Sequence, residues 1–488
     1  MKQLLLYLLI TFNFCNAQTY TLTVTNGYGS GNYQAGQAVH IYSKEFGVNQ
    51  FFDQWTGDIA SIENKENWHT TLIMPNTNVS VNAIIDNYTT NLTNTSIQGQ
   101  NIAKPVNYAF PANYQGVIYF LHGSGGSANV VNSSIEVRNF IGKALKEGFA
   151  IITTEAEEST LNQDLNGDGA IRWKTYPYTS SANIDISNIE IINTHLTNLG
   201  ILNNTKPKYT VGISNGGWFA QTLALALNFN KSVSYIGQGE PALYDNSGVI
   251  EMDKPVMWIM SANDGNPLVG VAGLNTSQGY SNQLVSENIC SKFITHNPYP
   301  MYPERFARDE LSLLESNSTY QELLNNGHLT SNKIPNISGF QLASVIQSNP
   351  LNYPFILSLN NSKLNAIRRQ WDISFAEHIF YDDYNANVIN FLKNGCETLS
   401  TIEANINFSD IIAYYPNPTT DFLNIKINKN YNPNKLQILL HNSEGRLLKS
   451  INPSQNDFQI DFTNKMTGVY AITIIYENKK IAYKIIKK

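Results

Sequence analysis

The sequence predicts an α/β fold, a mainly parallel sheet with helices on both faces, flanked by two smaller β units. Two observations predict it. Between residues 106 and 397, short apolar runs alternate with segments of helical periodicity, the pattern of strands joined by crossover helices. At one such joint, Tyr209-Thr210-Val211 runs straight into Gly212-Ile213-Ser214-Asn215-Gly216-Gly217. Glycines two before and two after a serine suit a buried strand that turns sharply into a helix, because a strained serine needs neighbours that let the chain pass close by.

The elements follow in chain order. At 488 residues the chain is too long for one ordinary domain, and 42% hydrophobic residues allow a sizeable core. A charged fraction of 14%, a net charge of −6 and no basic block argue against a nucleic-acid partner. Lys2, the apolar run Leu4 to Phe12 and Cys15-Asn16-Ala17 read as a signal peptide over residues 1–17. The run is too short to span a membrane, so no transmembrane segment is expected in the mature chain. Phe12-Asn13-Phe14 lacks the small residue that lipidation of Cys15 would want.

Residues 18–87 read as a β module. Tyr20-Thr21-Leu22-Thr23-Val24-Thr25 and Asn78 to Ile84 alternate as half-buried strands do, with a turn cluster at Asn26 to Gly31. Together with Phe52 to Asp58 and Thr71 to Pro75, the pattern resembles the small surface β-repeat of internalin-type and exported bacterial proteins. A packing role and a glycan- or surface-binding role are both open to it. Residues 88–105 are rich in Asn, Thr and Ser without periodicity and read as a linker.

The α/β domain, 106–397, opens with the strand Gly116 to Leu121 and the loop His122-Gly123-Ser124-Gly125-Gly126. A helix within Val130 to Phe149, a strand at Ile151-Ile152-Thr153 and a helix from Ile184 to Leu199 lead to the serine turn. The strand Pro255 to Met260 ends in Ser261-Ala262-Asn263-Asp264-Gly265-Asn266-Pro267, and Glu377-His378 precedes a helix at Tyr384 to Leu392. Between these lies a long stretch with helical patterning at Arg308 to Asn326 and Phe340 to Gln347. It reads as a cap insertion at about 275–370 whose Tyr299 to Pro303 run could line a pocket, or as a solvent-facing excursion. Trp218 is expected in the core.

A serine hydroxyl is a weak nucleophile and needs a base within hydrogen-bond reach. His378 is the candidate base; His122, His195, His296 and His328 lie earlier in the chain. Asp264, in a turn after a strand, is placed to orient an imidazolium, whereas Asp253 precedes that strand. The glycines of the His122 loop expose backbone N–H groups, the donors an oxyanion needs.

The order serine, acid, histidine, the Gly-x-Ser-Asn-Gly-Gly turn and the His-Gly-Ser-Gly-Gly loop resemble the α/β-hydrolase superfamily. Within it they are similar to extracellular esterases of the polyhydroxybutyrate depolymerase and feruloyl esterase group, over roughly residues 106–397. The resemblance implies a secreted serine esterase with Ser214 as nucleophile, His378 as base, Asp264 as acid, and the N–H groups of Ser124 and Asn215 as the oxyanion hole, with no cofactor for catalysis. The implied substrates are esters on polyesters or acylated polysaccharides. A serine peptidase of prolyl-oligopeptidase type and a surface binding protein with an inactive hydrolase fold are the alternatives.

Asp164-Leu165-Asn166-Gly167-Asp168-Gly169 copies the opening of a calcium loop, with Asp164, Asn166 and Asp168 as ligands, but the twelfth position is Thr175 instead of Glu. Structural Ca²⁺ and a metal-free turn are both open. Cys290 and Cys396 either pair or stay as buried thiols.

A linker is expected at 398–409 and a strand-rich unit at 410–488. Tyr415-Pro416-Asn417-Pro418 at its head, Glu444-Gly445-Arg446, Gly468-Val469-Tyr470 and the terminal Lys487-Lys488 resemble the C-terminal sorting domain of the type IX secretion system of Bacteroidetes. That resemblance implies the secretion machinery as a partner and a secreted or cell-surface location.

Overall fold

The computed structural model describes residues 18–245, 251–396, 412–429, 432–442, 447–476 and 479–488. The expected signal peptide, the 398–409 linker and Glu444-Gly445-Arg446 lie outside the described residues.

The N-terminal module comprises β1 (Thr19–Thr25), β2 (Gly27–Tyr28), β3 (Gly31–Gln34), β4 (Ala38–Ser43), β5 (Gln50–Gly57), β6 (His69–Ile73) and β7 (Val79–Asn87). They make a sheet ordered β3-β1-β7-β5 and a second ordered β2-β4-β6. Its large aromatic side chains point inward: Tyr42, Phe51, Phe52, Trp55 and Trp68 are buried.

The central domain follows as β8 (Thr93–Gln98), β9 (Ala103–Ala109), β10 (Gly116–Leu121), α1 (Ile135–Lys146), β11 (Phe149–Thr153), α2 (Glu157–Leu161), α3 (Ile184–Asn198), β12 (Lys208–Ile213), α4 (Asn215–Ala226), β13 (Lys231–Tyr235), β14 (Val256–Ser261), α5 (Gly270–Ser286) and β15 (Ser291–His296). They form one sheet ordered β15-β14-β13-β12-β10-β11-β9-β8. The run from β11 to β15 is parallel, and β9 and β8 add antiparallel at the edge. β10, β11 and β14 are buried at every position, as a sheet covered on both faces requires, which is why they read as continuous apolar runs. One face carries a core with Phe140, Ile141 and Phe391, the other a core with Ile189, Phe219 and Leu223.

Four expectations change. The linker expected at 88–105 contains β8, which pairs with β9 at the sheet edge. Five of its six side chains are exposed, so a polar edge strand read as unstructured. Lys104, at its expected end, is fully buried and paired with Glu157 at 3.3 Å. The insertion begins later than 275, because α5 is the crossover helix to β15, which pairs with β14 at the edge of the main sheet. It runs after His296 through α6 (Leu313–Asn325), α7 (Gly339–Ser348) and α8 (Asn361–Phe375), around a core of its own that includes Phe306, Tyr320, Leu323 and Trp371. Its aromatic run turns to the N-terminal module: the Tyr302 ring stacks on His40 at 4.0 Å and the Tyr299 ring lies 6.2 Å from His69. Trp218 is half-buried where a core position was expected.

After α9 (Asn385–Asn394) come β16 (Ile412–Tyr415), β17 (Phe422–Ile427), β18 (Leu436–Asn442), β19 (Leu447–Ile451), β20 (Asp457–Asp461), β21 (Gly468–Tyr476) and β22 (Lys479–Lys487). Two sheets, β16-β17-β20 and β19-β18-β21-β22, enclose Leu423, Ile438, Leu440, Ile460, Ile472 and Ile474. Alternation along β21, with every second side chain buried from Tyr470 to Tyr476, is what fills that core.

Candidate active site

Ser214 sits between β12 and the start of α4 with φ 55° and ψ −122°, a strained conformation for a residue with a side chain. Its own N–H donates to Tyr235 O at 2.8 Å and its carbonyl accepts from Gly217 N–H at 2.8 Å, which holds the turn closed. The flanking glycines are sterically demanded. A Cβ on Gly212 would stand 2.0 Å from Gly216 O, and one on Gly216 would stand 2.3 Å from His122 O.

The turn brings three of the expected residues together. His378 Nε2 lies 2.9 Å from Ser214 Oγ, and His378 Nδ1 lies 2.8 Å from Asp264 Oδ2. The Asp264 side chain is 1% exposed and that of His378 16%, so the acid is enclosed while the base keeps some contact with solvent. The second Asp264 oxygen accepts Asn266 N–H at 2.8 Å. Carboxylate, imidazole and hydroxyl are therefore in line, with both imidazole nitrogens engaged.

The loop after β10 packs against the serine: a Cβ on Gly123 would stand 3.4 Å from Ser214 Cβ. Gly125 N–H donates to Ile171 O at 2.8 Å and Gly126 N–H to Gly123 O at 3.0 Å. Those two donors are committed to loop shape. Ser124 is exposed, and the Asn215 side chain exchanges hydrogen bonds with the Trp173 backbone, accepting its N–H at 2.8 Å and donating to its carbonyl at 3.2 Å.

The other histidines of the domain stand elsewhere. His122 is buried, within hydrogen-bond distance of Gly123 O through Nδ1 and of Ala156 N–H through Nε2; burial pulls its pKa down to about 4. His296 stacks on Tyr381 at 3.8 Å, is 2.8 Å from Ile373 O through Nε2, and is likewise pulled by burial to about 4. His328 meets Tyr353 Oη inside the insertion, and His195 is exposed on α3.

Sequence reading missed Glu377. Its Oε1 accepts Gly265 N–H at 2.5 Å and His378 N–H at 2.9 Å. Ser261 Oγ donates to Glu377 O at 2.8 Å, and Asn263 Nδ2 to Phe375 O at 2.8 Å. The turn carrying Asp264 and the turn carrying His378 are therefore laced together, 112 residues apart in sequence at Gly265 and Glu377. The acid next to the histidine was the available signal.

The Asp164 loop closes on itself. The Asp164 carboxylate accepts the N–H groups of Gly167 and Gly169, both at 2.8 Å, and Asn166 Oδ1 accepts Asp168 N–H at 3.0 Å. Arg172 donates to Asp168 at 2.9 Å, and Thr175 Oγ1 donates to Glu240 at 3.0 Å. Cys290 and Cys396 form a disulfide with Cα atoms 5.4 Å apart.

No curated protein matches the chain in sequence. Among solved structures, a dienelactone hydrolase from Anabaena variabilis ATCC 29413 is similar at 18% identity and TM-score 0.32, over 43% of this chain and 86% of that one. A ferulic acid esterase is similar at 12% identity and TM-score 0.32, over 43% and 90%. An acylaminoacyl peptidase from Pyrococcus horikoshii is similar at 12% identity and TM-score 0.30, over 55% and 49%. Residues 413–488 match the family model described as "Secretion system C-terminal sorting domain", so the chain carries such a domain at its C-terminal end.

Proposed function

We propose that the chain is an exported serine hydrolase that cleaves carboxylic esters through an acyl-enzyme. The observation that carries this reading is that His378 bridges the other two groups, with Nε2 2.9 Å from Ser214 Oγ and Nδ1 2.8 Å from Asp264 Oδ2. In this reading His378 Nε2 takes the Ser214 proton as Oγ attacks the ester carbonyl. Asp264 holds the Nδ1–H and stabilises the imidazolium that results. The oxyanion is met by the backbone N–H groups of Asn215 and Ser124, the latter on the loop held by the committed donors of Gly125 and Gly126. His378 then protonates the departing alcohol, and a water activated by the same imidazole releases the acid.

The sorting domain supports export, and with the half-buried serine it favours esters borne on extracellular polymers, polyesters or acylated polysaccharides, as substrates. Type IX machinery and a secreted or surface location belong to the same reading. The test is turnover of p-nitrophenyl acyl esters of several chain lengths by the mature chain beside Ser214→Ala. Turnover lost in the variant supports the esterase. A folded protein that turns over none of them but cleaves peptide amides would replace it with a peptidase.

A further inference from the structure

The N-terminal module does not hang on a tether. Its core and that of the central domain are continuous. The Phe51 ring lies so close to α1 that a Cβ on Gly142 would stand 2.4 Å from it. The buried Asp53 carboxylate pairs with Lys143 at 3.2 Å and Lys146 at 2.7 Å, both on α1. The module's two tryptophans, Trp55 and Trp68, the side chains a glycan-binding face would most readily display, are buried.

Two contacts of this interface converge on one carboxylate. Phe52 N–H, from β5, donates to Asn139 Oδ1 at 2.9 Å, which turns the amide so that Asn139 Nδ2 donates to Asp382 Oδ2 at 2.5 Å. The Trp68 ring covers the Arg308 guanidinium at 3.7 Å, and Arg308 grips Asp382 with two bonds, 2.9 and 2.6 Å. Asp382 is four residues beyond His378, and both it and Arg308 are shielded from water, so the grip is rigid. The module thus touches both partners that fix Asp382.

We propose that the N-terminal module is a positioning arm for the base, acting through Asn139, Arg308 and Asp382 to hold the segment that carries His378, and is not a ligand-binding domain. This rests on the reading of Ser214, His378 and Asp264 as the reacting set. Asn139 and Asp382 are positioning residues, since neither reaches the reacting atoms. A displacement of about 1 Å at a reacting group can cost on the order of 10²-fold in rate, so loosening this grip should lower kcat and leave KM near its value.

Asn139→Asp in the full chain tests this. An aspartate can still accept Phe52 N–H, so the module stays attached, but an ionised one cannot donate to Asp382 and repels it, so the variant is compared with wild type at alkaline pH. The readouts are kcat and KM for a p-nitrophenyl ester and the downfield proton NMR resonance of the His378–Asp264 hydrogen bond, which needs no substrate. The proposal expects kcat down about tenfold or more, KM within about twofold, and a broadened or lost resonance. Asp382→Asn, which loses the two-pronged Arg308 grip from the other side, should lower kcat and disturb the resonance in the same way. Wild-type resonance in either folded variant overturns the proposal. Should neither variant fold, Arg308→Lys, which keeps the charge but loses the two-pronged grip, is read the same way. If the wild-type protein hydrolyses no ester, the function reading fails and the resonance alone decides the positioning claim.

Discussion

Glu377 Oε1 accepts the backbone N–H of Gly265 at 2.5 Å, so the residue before the candidate base fastens the turn that carries the candidate acid. The same oxygen accepts His378 N–H at 2.9 Å. Glu377→Ala leaves two donors without their acceptor and frees the turns to separate; kcat/KM should fall about tenfold or more. Glu377→Gln retains an acceptor oxygen and should stay within a few fold. Steady-state kinetics on the two variants check this, and equal losses would contradict it.

The glycines of the serine turn and of the His122 loop differ sharply in tolerance. Gly212→Ala puts a methyl 2.0 Å from Gly216 O, on backbone that cannot yield. Gly125 has φ +70° but nothing within 4 Å of a Cβ, so Gly125→Ala meets only backbone strain, on the order of 1–3 kcal/mol. Thermal unfolding should find Gly125→Ala folded with a modestly lower Tm. Gly212→Ala should fail to fold or lose more than about 4 kcal/mol.

The Cys290–Cys396 disulfide joins residues 106 apart and ties β15 to the chain after α9. Closing a loop of that length stabilises by up to ~4–5 kcal/mol on a chain-entropy account. Tm should drop on reduction, and a Cys290→Ser, Cys396→Ser double variant should match the reduced wild type and ignore reductant.

His296 is buried and neutral, its pKa pulled to about 4 by desolvation, against about 6.5 in the unfolded chain. Between those values the unfolded state binds the extra proton, so this residue's contribution to stability is full above about pH 6.5 and is lost as pH falls towards 4. Asp372, pushed up to about 6 by burial, works in the opposite sense over roughly pH 4–6. His296→Gln should therefore be less stable at pH 7 yet lose less on acidification to pH 5. The wild-type-minus-variant difference, measured by denaturant unfolding at both values, should shrink by on the order of 1–2 kcal/mol at pH 5.

The parts of the site that sequence exposed are those where backbone demands dictate residue type. The Gly212-to-Gly217 turn is legible because Gly212 and Gly216 face backbone oxygens at 2.0 and 2.3 Å, and the fully buried β10 and β14 are legible as apolar runs. Ser214, Asp264 and His378 followed from their places after these elements. What escaped depends on long-range partners. β8 is a strand only because β9 pairs with it, as its exposed Asn and Thr side chains carry no apolar signal. Arg308 and Asp382, 74 residues apart, carry no sequence signal of their pairing, yet both are buried against each other. The insertion read as a cap because helical periodicity says which face is apolar but not what covers it; here Tyr302 and Arg305 meet His40 and Trp68 of the module.

The most direct test of Ser214 as nucleophile is intact-protein mass spectrometry of the mature chain quenched soon after mixing with a p-nitrophenyl ester, followed by peptide mapping. The account predicts one added acyl group, carried on Ser214, at wild-type level in Glu377→Gln and absent from Ser214→Ala. An acyl group on another residue, or ester turnover that persists in Ser214→Ala, would contradict it.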